Sequence, residues 1–302
     1  MGDLEELTDK KAQLICQLSE ITGLTNIGSP LFATLWFSDD SVLENHHESA
    51  KRDPSKTRFL LQDAGNQLLD ILKLWSSRFW RDYPERIWTR ITNLNEPRPP
   101  HWEIISFPPV QPGGSLLSLV TCHPWSPIAP SRAIFDPESG TAIANFWSTL
   151  RMFWSSERVD SWQRATIGGT KRCSNLISLA LHIHDLWDKA VFGLRPLELS
   201  SNRETLTVQL HWLQSSSYAR QISMTSRPSF PANLQGVSNS GAGIYNLKTK
   251  MPVSSGDKMI FETDDPDGRP LPSLELLDMQ WVLHRVLALS GVPSHGTYSF
   301  HR

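Results

Sequence analysis

The stretch Asn145-Phe-Trp-Ser-Thr-Leu-Arg-Met-Phe-Trp154, continued by Ser155-Ser-Glu-Arg-Val-Asp-Ser-Trp162, sets the character of the chain. Its apolar residues Phe146, Trp147, Leu150, Phe153, Trp154, Val159 and Trp162 recur at helical spacing, which predicts one helix over about 141–164. Trp147, Trp154 and Trp162 then share one face, and burial in a core is the default reading of such a stripe. Downstream, a Gly168–Gly169 turn leads to a second expected helix at about 174–191. Thr205–Leu213, with Val208, Leu210 and Trp212 alternating, reads as a strand. Residues 214–256, rich in Ser, Gly and Asn, read as a long loop. Pro272–Ser290 reads as a helix, with Ser273 as its N-cap, Glu275 in its first turn and Gly291 as its stop.

Upstream, a short strand at Ser115–Thr121 and a Pro-rich turn at Cys122–Pro130 are expected. Pro97, Pro99, Pro100, Pro108, Pro109 and Pro112 exclude a helix or a central strand between these and the N-terminal part. That part carries amphipathic helices at 3–23 and 57–80, the second with Phe59, Leu60, Leu68, Leu69, Ile71, Leu72, Trp75 and Phe79 as its apolar face. Between them, 38–56 holds Asp39, Asp40, His46, His47, Lys51, Arg52 and Pro54 and reads as a solvated loop, so the two histidines are not expected to bind a metal. The expected organisation is an N-terminal helical region, 1–110, with a polar linker at 38–56, followed by a second region, 111–302. The class is α+β.

Composition narrows the function classes. The 302 residues hold 29 Lys and Arg against 31 Asp and Glu, a formal charge of −2, which argues against a nucleic-acid partner. Cys16, Cys122 and Cys173 form no CxxC pair, so neither a disulfide framework nor a cysteine-based zinc site is expected. The N-terminus lacks the basic and apolar segments of a secretory signal, and no apolar run is long enough to span a bilayer. The expectation is a soluble, cytoplasmic protein with no membrane partner. Its 12 Trp and 21 Pro are the two compositional excesses.

Several stretches resemble fungal HNH-nuclease-like proteins: Asn145–Trp162, Asn175-Leu-Ile-Ser-Leu-Ala-Leu-His-Ile-His184 with Trp187, Ala190-Val-Phe-Gly-Leu-Arg-Pro-Leu197, Phe261-Glu-Thr-Asp-Asp-Pro266, and Leu276-Leu-Asp-Met-Gln-Trp-Val-Leu-His284. The likeness spans roughly 115–290 and leaves 1–110 untouched. It implies a ββα-metal unit embedded in a mainly helical chain. In such a unit a strand presents a histidine base, a loop asparagine orients it, and a helix histidine helps hold a divalent ion.

The family's piece resembling Val-Thr-Gly, eight residues, Ala-His corresponds here to Val120-Thr121-Cys122 and then His123-Pro-Trp125-Ser-Pro-Ile-Ala129-Pro130. The seat of the base is therefore Pro130, which has no titratable group. That loss costs on the order of 10²–10⁴ in rate. Asn175 and His184 remain, while Asn175 also suits a helix cap, and His184 also reads as a helix histidine packed near Trp187.

The degenerate site and the Trp-rich body together imply a non-nucleolytic cyclase, isomerase or pericyclase of fungal secondary metabolism acting on an apolar small molecule. His123, Asn175 and His184 are its candidate catalytic groups, and Trp125, Trp147, Trp154 and Trp187 its candidate substrate-lining rings. No metal and no cofactor is expected. Two other readings stay open: an HNH endonuclease with a displaced histidine such as His123 or His101, and a non-catalytic binding protein. Homodimerisation through the N-terminal helices is compatible with all three. The acidic run Glu262, Asp264, Asp265 and Asp267, ending at Gly268, reads as a solvated turn more readily than as a cation site.

Overall fold

The computed structural model describes residues 8–76, 126–127, 141–167, 173–177, 179, 181–229, 234, 236, 243–246 and 250–292. The expected strand at Ser115–Thr121, most of the Cys122–Pro130 turn and the proline segment lie outside them.

The chain begins with helix α1, Asp9–Thr22, which Thr8 caps by accepting a hydrogen bond from Lys11 N at 3.1 Å and which Gly23 ends in the left-handed conformation. Strand β1, Asn26–Ile27, leads into helix α2, Ser29–Phe37. All nine residues of α2 are buried, as befits a helix apolar on every side. Helix α3, Asp40–Arg52, occupies the stretch expected to be a solvated linker. It buries only Leu43 and Ala50, seven residues apart, so its sequence carries almost no apolar signal; the packing of α1 and α4 against it supplies the stability that pattern does not.

Helix α4, Pro54–Ser76, bears out the expected N-terminal helix, with the expected face inward at Leu68, Ile71, Leu72 and Trp75 but not at its first turns. Leu61, Ala64, Leu68, Ile71, Leu72 and Trp75 are buried, while Phe59 and Leu60 stand in solvent. The single helix expected at 141–164 is two: α5, Thr141–Arg151, and α6, Ser156–Thr166. The break has a tertiary cause. Asp39 reaches across from the α2–α3 junction, its backbone N–H donating to Phe153 O at 2.9 Å and its Oδ2 accepting from Ser155 N at 2.8 Å. Trp154 Nε1 donates to Phe37 O at 3.0 Å beside it, and His46 Nε2 donates to Met152 O at 2.6 Å. His46 is therefore held in a seam between helices, not free in a loop. Burial pushes its pKa below the usual histidine range, against the opposing pull of the Met152 carbonyl.

The second expected central helix, 174–191, is also shorter than its pattern. A 3₁₀ turn, Cys173–Asn175, and a strand, β3, Leu176–Ile177, precede helix α7, Leu181–Asp188. β3 pairs antiparallel with β2, Ser126–Pro127. A turn with Ala190 at φ 51° then enters β4, Phe192–Leu199. β4 pairs antiparallel with β5, Thr205–Trp212, in the register Phe192↔Trp212 to Leu199↔Leu206, and β5 pairs with β7, Lys258–Glu262. The alternation read from Val208, Leu210 and Trp212 is thus borne out as the central strand of this sheet. Pro196 sits beside a register shift on an edge strand, where its missing N–H is tolerated. Within 214–256 the described residues are irregular apart from β6, Ile222–Ser223, which pairs with β1, and a bridge from Tyr245 to Pro252.

Helix α8, Leu274–Ser290, matches its expectation closely. Ser273 accepts from Leu276 N, and Gly291 ends the helix at φ 65°. Fourteen of its residues are buried. One side packs on α2 and the other on β4, so α8 is the post around which the helical layer and the sheet assemble. One continuous cluster of buried side chains runs from Leu14 of α1 to Val292, across the boundary expected near 110. The architecture is α+β, with eight α-helices and small antiparallel sheets among the described residues.

Candidate functional site

β2 and β3 pair with Ser126 opposite Ile177 and Pro127 opposite Leu176, and α7 follows β3 in the chain and packs on β4. Asn175 sits at the end of the 3₁₀ turn, directly before β3, and is 3% exposed. It is not a helix N-cap, because β3 separates it from α7. The turn is anchored to the start of α8 by Ser273 N donating to Ser174 O at 2.7 Å. His184 lies on α7, three residues before Trp187. His123, Trp125 and Pro130 lie outside the described residues.

The tryptophans on which the composition drew attention are core residues. Trp147, Trp154 and Trp187 are 4%, 0% and 3% exposed. Trp154 packs against Phe153 and Trp162, and its one polar atom is satisfied by Phe37 O. Trp187 packs between Phe192 and His284, with ring centroids 5.4 and 5.2 Å away. Trp147 meets Phe146 edge-on at 4.8 Å. None of the three lines the large cleft described below.

Reading the sequence missed a polar pair on α8. Gln280 and His284, four residues apart and so on one face, are both buried. His284 Nδ1 lies 2.5 Å from Gln280 Nε2 and 3.2 Å from Phe192 O. Gln280 Oε1 has no partner among the described residues. Burial pushes the His284 pKa down to about 4, outweighing the Phe192 carbonyl and the Asp188 charge, so the ring is neutral near pH 7. On the next residue, the Arg285 guanidinium lies 4.5 Å from the Phe37 ring and 4.2 Å from the Trp281 ring. A polar pair four apart inside the apolar run 274–290 was the available signal.

A cleft of about 920 Å³ opens elsewhere, between the β1–α2 corner, α4 and the segment 218–221. Ile27, Pro30, Leu31, Leu69 and Val292 give it an apolar lining. Gly65 marks where α4 passes α2: a Cβ there would touch Leu31 Cβ at 3.4 Å, an ordinary van der Waals contact. Around the rim stand Asn66, Lys73, Tyr218 and Arg220, all exposed. The acidic run at 262–267 is remote from this chemistry and is an exposed turn as expected: Asp265 Oδ1 accepts from Gly268 N, Asp264 pairs with Arg269, and Asp267 pairs with Arg203.

No protein-family model, curated protein or solved structure matches the chain. Among the described residues, no three His, Cys, Asp or Glu side chains gather where a metal ion would fit, and no helix is long and apolar enough to cross a membrane.

Proposed function

We propose that the protein is a non-nucleolytic enzyme, a cyclase, isomerase or pericyclase acting on a largely apolar small molecule, built on a degenerate HNH-like ββα scaffold. What carries the reading is the resemblance of 120–130, which aligns Pro130 with the general base of the family. The order of β2, β3 and α7, with Asn175 just before β3 and His184 on the helix, supports the scaffold half of the proposal. A unit of this shape without a base lacks the proton acceptor that water attack on a phosphodiester needs. Holding a reactive substrate in a near-attack conformation, with one or two polar groups beside developing charge, needs no such acceptor.

Two measurements test it. A plasmid-nicking assay with Mg²⁺, Mn²⁺ or Ni²⁺ should show no metal-dependent cleavage; cleavage abolished by His184→Ala overturns the proposal. Deleting the gene in its producing organism should make one metabolite vanish and an isomer of equal mass accumulate, because a cyclisation or isomerisation conserves mass. An unchanged metabolite profile counts equally against it.

A further inference from the structure

We infer that the outer edge of β7 pairs antiparallel with β7 of a second copy of this chain, joining two sheets into one across a two-fold axis. This contact is independent of the enzymatic reading.

The phase of the ladder decides which backbone groups face outward. Thr263 N donates to Glu204 O and Leu210 N to Asp257 O, both at 2.9 Å. With the register Thr207↔Ile260, these bonds turn the N–H and C=O of Met259 and Phe261 toward β5. Those of Lys258, Ile260 and Glu262 point the other way, and among the described residues no strand pairs with β7 on that side. Such a row of outward backbone groups is a template for another strand. The side chains at the same positions are all exposed, Ile260 at 61%.

What favours a second copy is the symmetry of the stretch Lys258-Met-Ile-Phe-Glu262. Antiparallel pairing centred on Ile260 sets that residue opposite its own counterpart and Lys258 opposite Glu262 of the partner subunit. Each facing pair exchanges both backbone bonds, and the unlike charges meet on one face with the isoleucines between them. Shifting the register by two residues sets Ile260 against a charge, and an in-register parallel pairing sets like charges together. Charges that guard an edge repel a copy of themselves; these two attract theirs. Five residues a side bury less than the roughly 1,200 Å² of a stable interface, so the dimer is weak and forms at high concentration.

Sedimentation velocity of the full chain, from micromolar to near-millimolar concentration, should show a monomer–dimer equilibrium. Lys258→Glu or Glu262→Lys alone should weaken it about tenfold, because either sets like charges opposite each other on both sides of the axis. The double exchange, Lys258→Glu with Glu262→Lys, should restore the wild-type dimer. An equimolar mixture of the two single variants should do the same by forming heterodimers, which a mere loss of folding would not allow. Both side chains are exposed, so thermal melts should match wild type. A monomer at every concentration overturns the inference. So does a dimer indifferent to the single exchanges, since its contact then lies elsewhere, as in the N-terminal helices. Failure of both the double exchange and the mixture to restore association overturns the register.

Discussion

Arg158 holds Asp278 with two parallel hydrogen bonds, Nε to Oδ2 at 2.8 Å and Nη2 to Oδ1 at 2.7 Å, across 120 residues of chain. Its third arm, Nη1, donates to Asp39 Oδ1 at 2.9 Å, and Trp162 Nε1 donates to Asp278 Oδ2. Burial alone would lower the Arg158 pKa; the bonds and charges of Asp278 and then Asp39 outweigh it and raise the pKa above the usual value. One guanidinium thus ties α6 to α8 and to the α2–α3 junction. Only the planar fork serves both carboxylates at once. Arg158→Ala should destabilise the fold by about 2–4 kcal/mol, since it leaves two mostly buried carboxylates facing each other. Arg158→Lys should cost about half as much. Urea denaturation of the two variants checks the ranking.

Trp154 should behave as a structural residue. It is fully buried, and its indole N–H bonds a carbonyl at the end of α2. Trp154→Phe keeps most of the volume but removes the indole donor to Phe37 O, at about 1 kcal/mol. Trp154→Ala should cost about 3–5 kcal/mol. A variant that melts like wild type while losing small-molecule binding would show the ring to be a ligand contact.

Two glycines with left-handed backbone separate strain from space. Gly23 at φ 69° has only Arg58 Nη1 near a built Cβ, at 3.6 Å. Gly23→Ala should therefore cost about 1 kcal/mol of backbone strain. Gly291 at φ 65° would drive its Cβ into the backbone of Ser216, Ser217 and Tyr218. Gly291→Ala should cost well over twice the Gly23 value and displace that segment. Paired thermal melts decide it.

His284 makes stability depend on pH. Its folded pKa of about 4 lies below the ordinary value of 6.5. Between those values the unfolded chain takes up a proton that the folded chain refuses. The contribution is intact above about pH 6.5, declines as pH falls, and is spent near pH 4, at most about 3 kcal/mol. His46 is shifted in the same direction. His284→Leu should flatten the curve of unfolding free energy against pH over this window. Curves of equal slope for variant and wild type would refute the assignment.

What the sequence discloses depends on where the information lies. α8 and β5 were legible because cap residues and alternation are local, and Ser273, Gly291 and Val208 each carry their signal within a few positions. The break between α5 and α6 was not, since the aromatic spacing runs through it unbroken and the cause, Asp39, is more than 110 positions away. α3 was missed because a helix that buries two residues has a loop's composition. The 3₁₀ turn and short strand between Asn175 and α7 were hidden as the α5–α6 break was, because the apolar spacing of 174–191 reads as one unbroken helix. The cleft had no local signal either. Its walls come from residues near 27, 66, 220 and 292, and no window of sequence contains them together.

Ser29 Oγ donates to Ser290 O at 2.6 Å, joining positions 261 residues apart. Of the described helices, α8 is the last to leave the ribosome, yet it is the one on which α2 and β4 both close. Until it emerges, α2, buried at all nine residues, has α4 on one side but lacks its largest covering partner. A newly made chain therefore carries an unfinished interior from the synthesis of α2 until α8 arrives, and the closing step joins the two most distant of its packed helices.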